Sequence, residues 1–356
     1  MQMRLRMLWV PRFGEMLPRR QSAVMGVLAT LTLFMLLATV AACARPERTL
    51  SPTPFQTGVP PTAVWPAKTY YRYADVQGRR IFYREAGDPS RPHVLLLHGF
   101  PSSSHTYREL IPLLSGRFHV IAPDYLGSGF SDRPNSDEVS YTFDLLAKHV
   151  TGLVDTLGVK RYVMYMQDFG APVGFRVAMT HPERVRGLVI QNANAYLDGL
   201  TPARQEFFSK ANTDRSPEKI AALLDFTGRE AVINRQYLRD VPGEKGALMS
   251  PDTWTHDLAH LSAEKDRMIQ VRLLQDYASN LDAYPAWQAF LRKERPATLI
   301  VWGRNDPAFI PAGAEAYLRD VPDAELHLLD AGHFALEERP AEIAQFMIRF
   351  IERLRP

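Results

Sequence analysis

The chain has 356 residues, 46% hydrophobic and 23% charged, which is ample for one large core but short for two independent domains. Its formal net charge of +3 sits at the N-terminus, where Arg4, Arg6, Arg12, Arg19 and Arg20 face only Glu15. The remainder is near neutral and has no Lys/Arg run interleaved with aromatics, which argues against nucleic acid as a partner; the single cysteine, Cys43, excludes an intrachain disulfide or a multi-thiolate metal site.

In chain order, residues 1–42 come first. Ala23 to Ala42 is an apolar run preceded by Arg19-Arg20 and followed by Cys43. A basic segment, an apolar run and small residues before a cut describe a secretory signal. The sequence Val40-Ala41-Ala42-Cys43 is similar to the lipobox of bacterial lipoproteins, which implies a lipid on Cys43 and an exported, membrane-anchored protein. An ordinary cleaved signal or an uncleaved anchor is the alternative, the latter since about twenty apolar residues can span a bilayer. Residues 43–68 are rich in Pro, Thr and Ser, cannot bury much apolar surface, and read as an extended tether.

From residue 69 strands and helices alternate. Tyr70–Asp75 and Arg80–Glu85 flank a Gln77-Gly78 turn as a hairpin. Val94–His98 is a continuous apolar strand of the kind buried in a parallel sheet. A helix over 106–114 follows, then strand His119–Asp124, helix Phe143–Leu157, strand Tyr162–Gln167, helix Ala171–Met179 and strand Gly187–Gln191. Residues 194–289 break the alternation; they are helical in character and rich in aromatics, as a lid over an apolar pocket would be. Alternation resumes with strand Ala297–Trp302, a helix over 312–319, strand Glu325–Leu329 and helix Ala341–Leu354. The pattern predicts an α/β fold with a mostly parallel sheet, its core formed by 69–193 and 290–356, with 194–289 inserted as a helical cap. There is no internal repeat.

Three strand ends carry the chemistry. Tyr165-Met166-Gln167-Asp168-Phe169-Gly170 runs from a strand into a helix through Gly170, the context of a nucleophile elbow, with aspartate where an esterase has serine. Asp306, in Trp302-Gly303-Arg304-Asn305-Asp306-Pro307, and His333, in Asp330-Ala331-Gly332-His333-Phe334, complete the order nucleophile, acid, histidine. Such a histidine needs a carboxylate on its far nitrogen to fix the tautomer. His98-Gly99-Phe100-Pro101 follows the first apolar strand, so the main-chain amides of Phe100 and Phe169 are candidates for an oxyanion hole. His98 itself reads as a support for that loop.

Together with Asp124-Tyr125-Leu126-Gly127-Ser128-Gly129-Phe130-Ser131, these motifs resemble the epoxide hydrolase and haloalkane dehalogenase branch of the α/β-hydrolase superfamily, over Tyr70 to the C-terminus. The resemblance implies an α/β-hydrolase fold, attack by Asp168 on a saturated carbon, and hydrolysis of the resulting ester by water activated at His333. It calls for no cofactor and no metal, only a small apolar substrate and water. Haloalkane dehalogenases place halide-binding donors where this chain has Phe100 and Phe169, neither of which can donate a hydrogen bond. That favours an epoxide, with a haloalkane as the alternative and Trp254 or Trp287 of the cap as a halide donor. Epoxide hydrolases use cap tyrosines to protonate the opening oxygen; Tyr277 stands where one is expected, although Ala278 replaces the usual arginine, and Tyr237 and Tyr196 are further candidates. A non-catalytic receptor for a small ligand is the alternative of another class. His256-Asp257-Leu258-Ala259-His260 imitates a zinc-binding helix but lacks its glutamate.

Overall fold

A computed structural model describes residues 67–354 except Asp240 and Pro242, so Cys43, the apolar run before it and residues 43–66 of the tether lie outside the described residues. Strands β1 (Tyr70–Val76) and β2 (Arg79–Ala86) form the expected hairpin, and Gln77 and Gly78 both adopt positive φ, at 56° and 76°. That two-residue turn matches the right-handed twist of its strands.

Six further strands complete one sheet: β3 (His93–Leu97), β4 (His119–Pro123), β5 (Tyr162–Gln167), β6 (Val185–Gln191), β7 (Thr298–Gly303) and β8 (Glu325–Leu329). Their order is β1-β2-β4-β3-β5-β6-β7-β8, antiparallel through β4 and parallel from β4 to β8. Alternation along a strand divides the core between the two faces. In β5, Tyr162, Met164 and Met166 pack on one side while Val163 and Tyr165 pack on the other.

Helices cover both faces, as a parallel sheet requires. The region expected as one helix over 106–114 is instead a 3-10 turn, Ser104–Tyr107, followed by helix α1 (Leu110–Ser115). Pro112 explains the break, because a proline is tolerated only in a helix's first turn, where no amide donor is needed. Helix α2 (Phe143–Thr156) starts at Thr142, whose hydroxyl accepts from the Leu145 amide at 3.1 Å. Helix α3 (Gly170–Thr180) leaves the end of β5 directly.

The cap emerges between β6 and β7. It contains α4 (Pro202–Thr213), α5 (Pro217–Phe226), a π-helical segment (Ala231–Tyr237), a 3-10 segment (Gly243–Leu248), α6 (Pro251–His260), α7 (Glu264–Asp276) and α8 (Ala278–Glu294). Thr201-Pro202, Ser216-Pro217 and Ser250-Pro251 begin α4, α5 and α6 alike: the hydroxyl caps a free amide and the proline sits where none is needed. The cap's expected end at residue 289 falls inside α8, which continues to Glu294 and stops where Arg295 turns left-handed at φ 43° before Pro296. Trp287 of α8 stacks on Phe175 of α3, so this last cap helix is also packed into the core. Two short turns of helix, α9 (Ala312–Ala316) and α10 (Ala335–Glu338), precede the closing α11 (Pro340–Arg353).

Candidate active site

Because β3, β5, β6, β7 and β8 run parallel, the loops after them open on one edge of the sheet, where open α/β sheets bind ligands. Those loops carry Phe100, Asp168, Asn192, Asp306 and His333 in turn.

Asp168 sits at the sharpest of these turns. Its φ is 50°, a left-handed conformation that a non-glycine residue adopts at a cost and keeps only when its surroundings enforce it. They do so here. A Cβ added at Gly170 would stand 2.2 Å from the Leu97 carbonyl oxygen, and one at Gly99 would stand 2.4 Å from Cβ of Asp168. Only glycines let the elbow approach β3 this closely. Oδ1 of Asp168 accepts from the Phe100 amide at 2.7 Å, and the Phe169 amide also bonds to the carboxylate. Burial raises the Asp168 pKa, and His333 and the two amides offset this only in part.

His333 lies between two carboxylates. Its Nδ1 is 2.6 Å from Oδ2 of Asp306, and its Nε2 is 3.8 Å from Oδ2 of Asp168. The short Asp306 contact fixes the proton on Nδ1 and leaves Nε2 as the basic nitrogen. Burial depresses the imidazole, but the charge and hydrogen bond of Asp306, with Asp168 behind them, outweigh it and raise the His333 pKa.

Both oxygens of Asp306 are engaged. Oδ1 accepts from the amides of Ala308 at 2.7 Å and Phe309 at 3.0 Å, while Oδ2 also accepts from Nδ2 of Asn192 at 2.9 Å. Nη2 of Arg239 approaches Oδ1 at 3.6 Å. Burial opposes the charge, yet His333, Arg239 and the amides prevail and hold Asp306 below the usual carboxylate range. The structure therefore brings Asp168, Asp306, His333, and the amides of Phe100 and Phe169 into one buried cluster. Sequence reasoning missed Asn192, which also pairs with the main chain of Gly303 and pins β6 to β7. It also missed Gln191, whose amide donates to the His333 carbonyl at 2.9 Å.

The cluster opens on a cavity of about 30 Å³ lined by Phe100, Asp168, Phe169, Arg204, Phe208, Phe226, Gln236, Leu274, Ala308, Phe309 and His333. A larger hollow of about 730 Å³ beside α2, α3 and α8 contains none of these groups and is a solvent-open groove. The small cavity is aromatic, as expected, but not wholly apolar, for Arg204 and Gln236 project from the cap. Tyr277 does not line it. Its ring stacks on Phe208 at 3.7 Å and lies 5.9 Å from Phe169, immediately behind the wall. Its ionisation is suppressed by burial, by Tyr284 and by the Asp168 charge, so it stands in the field of the elbow.

The other candidates are placed elsewhere, each with a structural partner. Tyr237 donates to Asp257 at 2.5 Å and stacks on Phe334; Tyr196 donates to Asp320 at 2.6 Å. Trp254 packs against Tyr237, and Trp287 against Phe175. His98 accepts from the Tyr125 amide and touches the Gly99 carbonyl, supporting the loop. His256 and His260 pack against His105 and Phe130, and no group of three possible metal ligands occurs among the described residues.

A family model for the alpha/beta hydrolase fold matches residues 92–340. The chain belongs to the α/β-hydrolase family. A protein of Saccharomyces cerevisiae described only as a hydrolase is 41% identical over 275 residues, 76% of this chain and 93% of that one. Haloalkane dehalogenase 2 of Mycobacterium tuberculosis is 31% identical over 78% of this chain and 93% of its own length. Epoxide hydrolase A of the same species is 28% identical over 80% and 97%. Among solved structures, haloalkane dehalogenase DbeA from Bradyrhizobium elkani superposes with a TM-score of 0.69 at 25% identity, covering 81% of this chain and 99% of its own. This α/β-hydrolase is an enzyme of the haloalkane dehalogenase and epoxide hydrolase branch, acting on a small substrate with water.

Proposed function

We propose that the enzyme works through a covalent ester on Asp168 and that its substrate is a small epoxide. The observation that carries this is the division of labour at Asp168: Oδ1 is held by the Phe100 amide at 2.7 Å, while Oδ2 faces Nε2 of His333 at 3.8 Å. Oδ2 attacks the oxirane carbon, the carbon–oxygen bond breaks with its electron pair on oxygen, and that oxygen takes a proton from solvent, because Tyr277 stands behind the cavity wall. In the second step His333 removes a proton from water, and the hydroxide adds to the carbonyl carbon of the ester. The oxyanion forms where Phe100 and Phe169 already point their amides. The Cγ–Oδ2 bond then breaks, the alkoxide product takes the proton from His333, Asp168 keeps the water-derived oxygen and returns to a carboxylate by releasing its proton to solvent, and a diol leaves.

A carboxylate nucleophile suits this chemistry because it attacks without first losing a proton. Phe100 and Phe169, which offer a leaving halide no side-chain donor, favour the epoxide. A haloalkane is the second reading, favoured by the N–H groups of Arg204 and Gln236 in the cavity lining. The Cys43 motif further supports export, with lipid on that cysteine and the enzyme tethered to the outer face of a membrane.

His333→Gln supplies the test. It is expected to stall as an adduct on Asp168, visible by intact mass after an epoxide or haloalkane is added, with diol or halide turnover lost. The same spectrum of protein recovered from membranes should show a lipidated Cys43 as first residue. No adduct with any member of a broad panel defeats the ester mechanism, and an unmodified residue 43 defeats the export reading.

A further inference from the structure

The cap side of the cavity holds a polar pair that the epoxide reading does not use. Arg204, on α4, lines the cavity with Asp168 and His333 and is partly buried. Its guanidinium lies over Phe207 and Phe208, at 5.5 Å and 5.9 Å from their centroids, and makes no hydrogen bond or ion pair among the described residues. Gln236, from the π-helical segment, lines the same cavity and is 6% exposed, yet its Nε2 has no hydrogen-bond partner among the described residues. A buried amide left unpaired is costly, and natural structures pair such groups with protein, ordered water or a ligand.

We infer that Arg204 and Gln236 form an anion subsite that holds a carboxylate carried by the substrate, so that the enzyme acts on short epoxy- or halo-acids. This rests on the aspartyl-ester reading and narrows it.

Charge supports the assignment. Arg239 lies 3.6 Å from Asp306, whereas Arg204 feels the charges of Asp306 and, more weakly, Asp168 without an ion-pair contact to either among the described residues. Burial, followed by repulsion from Arg239, lowers the Arg204 pKa, as expected of a cation that lacks a paired anion. When Asp168 becomes an ester its charge passes to the leaving atom, and once that atom is protonated or gone the guanidinium has lost one of the two carboxylates that act on it. A substrate carboxylate compensates it throughout the reaction. An epoxide does so only as its opened oxygen before that oxygen is protonated, and a halide only until it leaves the cavity. The planar guanidinium fork matches the two oxygens of a carboxylate, and the amide adds a further donor. A cavity of about 30 Å³ suits a chain of only a few carbons. The covalent step is unchanged: Oδ2 of Asp168 bonds to the carbon, the bond to oxirane oxygen or halide breaks with its electron pair on the leaving atom, and hydrolysis releases a dihydroxy acid from the epoxide, or a hydroxy acid and halide from the halo-acid.

The test compares matched pairs on the full-length protein: glycidate with glycidamide, and 2-chloropropanoate with 2-chloropropanamide. Wild type is expected to prefer the acid in each reactive pair by at least about 10-fold in kcat/KM, a modest yield for a charge-assisted contact. Arg204→Gln should abolish that preference, bringing the acid-to-amide ratio to about 1, Arg204→Lys should keep part of it, and Gln236→Leu should reduce it less. Unreactive propanoate should inhibit wild type competitively and the Arg204→Gln variant far less. A wild-type preference for the amides overturns the subsite without recourse to any variant. An equal loss for acid and amide in Arg204→Gln also overturns it, and assigns Arg204 to the leaving group. Adducts on Asp168 in His333→Gln with the neutral amides keep these failures separate from failure of the ester mechanism.

Discussion

The floor of the cavity comes from strand ends and its roof from the cap, and their polar groups are treated differently. On the floor, Asp306 accepts from His333, Asn192, Ala308 and Phe309, and Asp168 accepts from Phe100 and Phe169. On the roof, Arg204 and the Nε2 of Gln236 have no such partners among the described residues. A network that is complete without ligand fixes geometry for a reaction. Donors left open are suited to choosing what enters. The comparison assigns reactivity to the sheet and selectivity to the cap.

The largest effect that would break this division is expected at Asp306. Asp306→Asn should cut turnover roughly 10³–10⁴-fold, because the imidazole loses the charge that orients it and stabilises its protonated form. The ester should accumulate, since attack by Asp168 needs no base. The pH profile tests the same point. The Asp306 charge raises the His333 pKa against burial, and the neutral imidazole is the base, so wild-type turnover should fall as pH drops through a value above 6.5. In the variant burial prevails, and the inflection should move to lower pH. An unmoved inflection would remove Asp306 from the electrostatics of the site.

A smaller loss is expected at Gly99. The added Cβ of Gly99→Ala meets Asp168 Cβ at 2.4 Å and Gln167 Oε1 at 2.6 Å, so the nucleophile must shift off the Phe100 amide. Displacement of that order costs roughly 10²-fold in rate. Single-turnover adduct formation should slow along with steady-state turnover; unchanged kinetics would show that the elbow is not held by this approach.

The smallest effect concerns the seam between roof and floor. His105 of the floor stacks on His256 of α6 at 4.0 Å, with His260 and Phe130 beside them and Arg84, Arg108, Arg133, Asp124 and Asp257 around. Burial first, then neighbouring His and Arg charges, push His105 down to about 3 and His260 to about 4. The unfolded chain takes up these protons near 6.5 and the folded one resists them. Stability from this seam is therefore intact above 6.5 and declines as pH falls towards 4. Melting temperature should drop between pH 7 and 5 by roughly 2–4 °C more in wild type than in a His105→Asn, His260→Gln variant. Equal slopes would mean the cluster is not the acid-sensitive element.

Legibility in the sequence follows the same division. Asp168, Asp306, His333, Phe100 and Phe169 were readable because each sits in a contiguous stretch where an apolar strand meets its loop. The parallel sheet was readable for the same reason. Asn192 left only a faint trace, a polar Gln191-Asn192-Ala193-Asn194 at the end of an apolar strand, which no motif distinguishes from an ordinary loop. Arg204, Gln236 and Arg239 left none. They come together only in three dimensions, Arg204 from the regular helix α4 and Gln236 from a π-helical turn that no 3.6-residue period reveals. Tyr277 was found by its place in the chain, but packing decides that it backs the wall of the cavity.

The turn after β7 ties structure to catalysis at a single side chain. Oδ1 of Asp306 closes its own loop by accepting from Ala308 and Phe309, and Phe309 in turn forms part of the chamber where substrate rests. The residue that tunes the base is thus also the clasp that shapes the container. Any replacement at this position is constrained twice over: it must carry charge for the imidazole and an acceptor for the loop, and among ordinary side chains of that length aspartate alone supplies both.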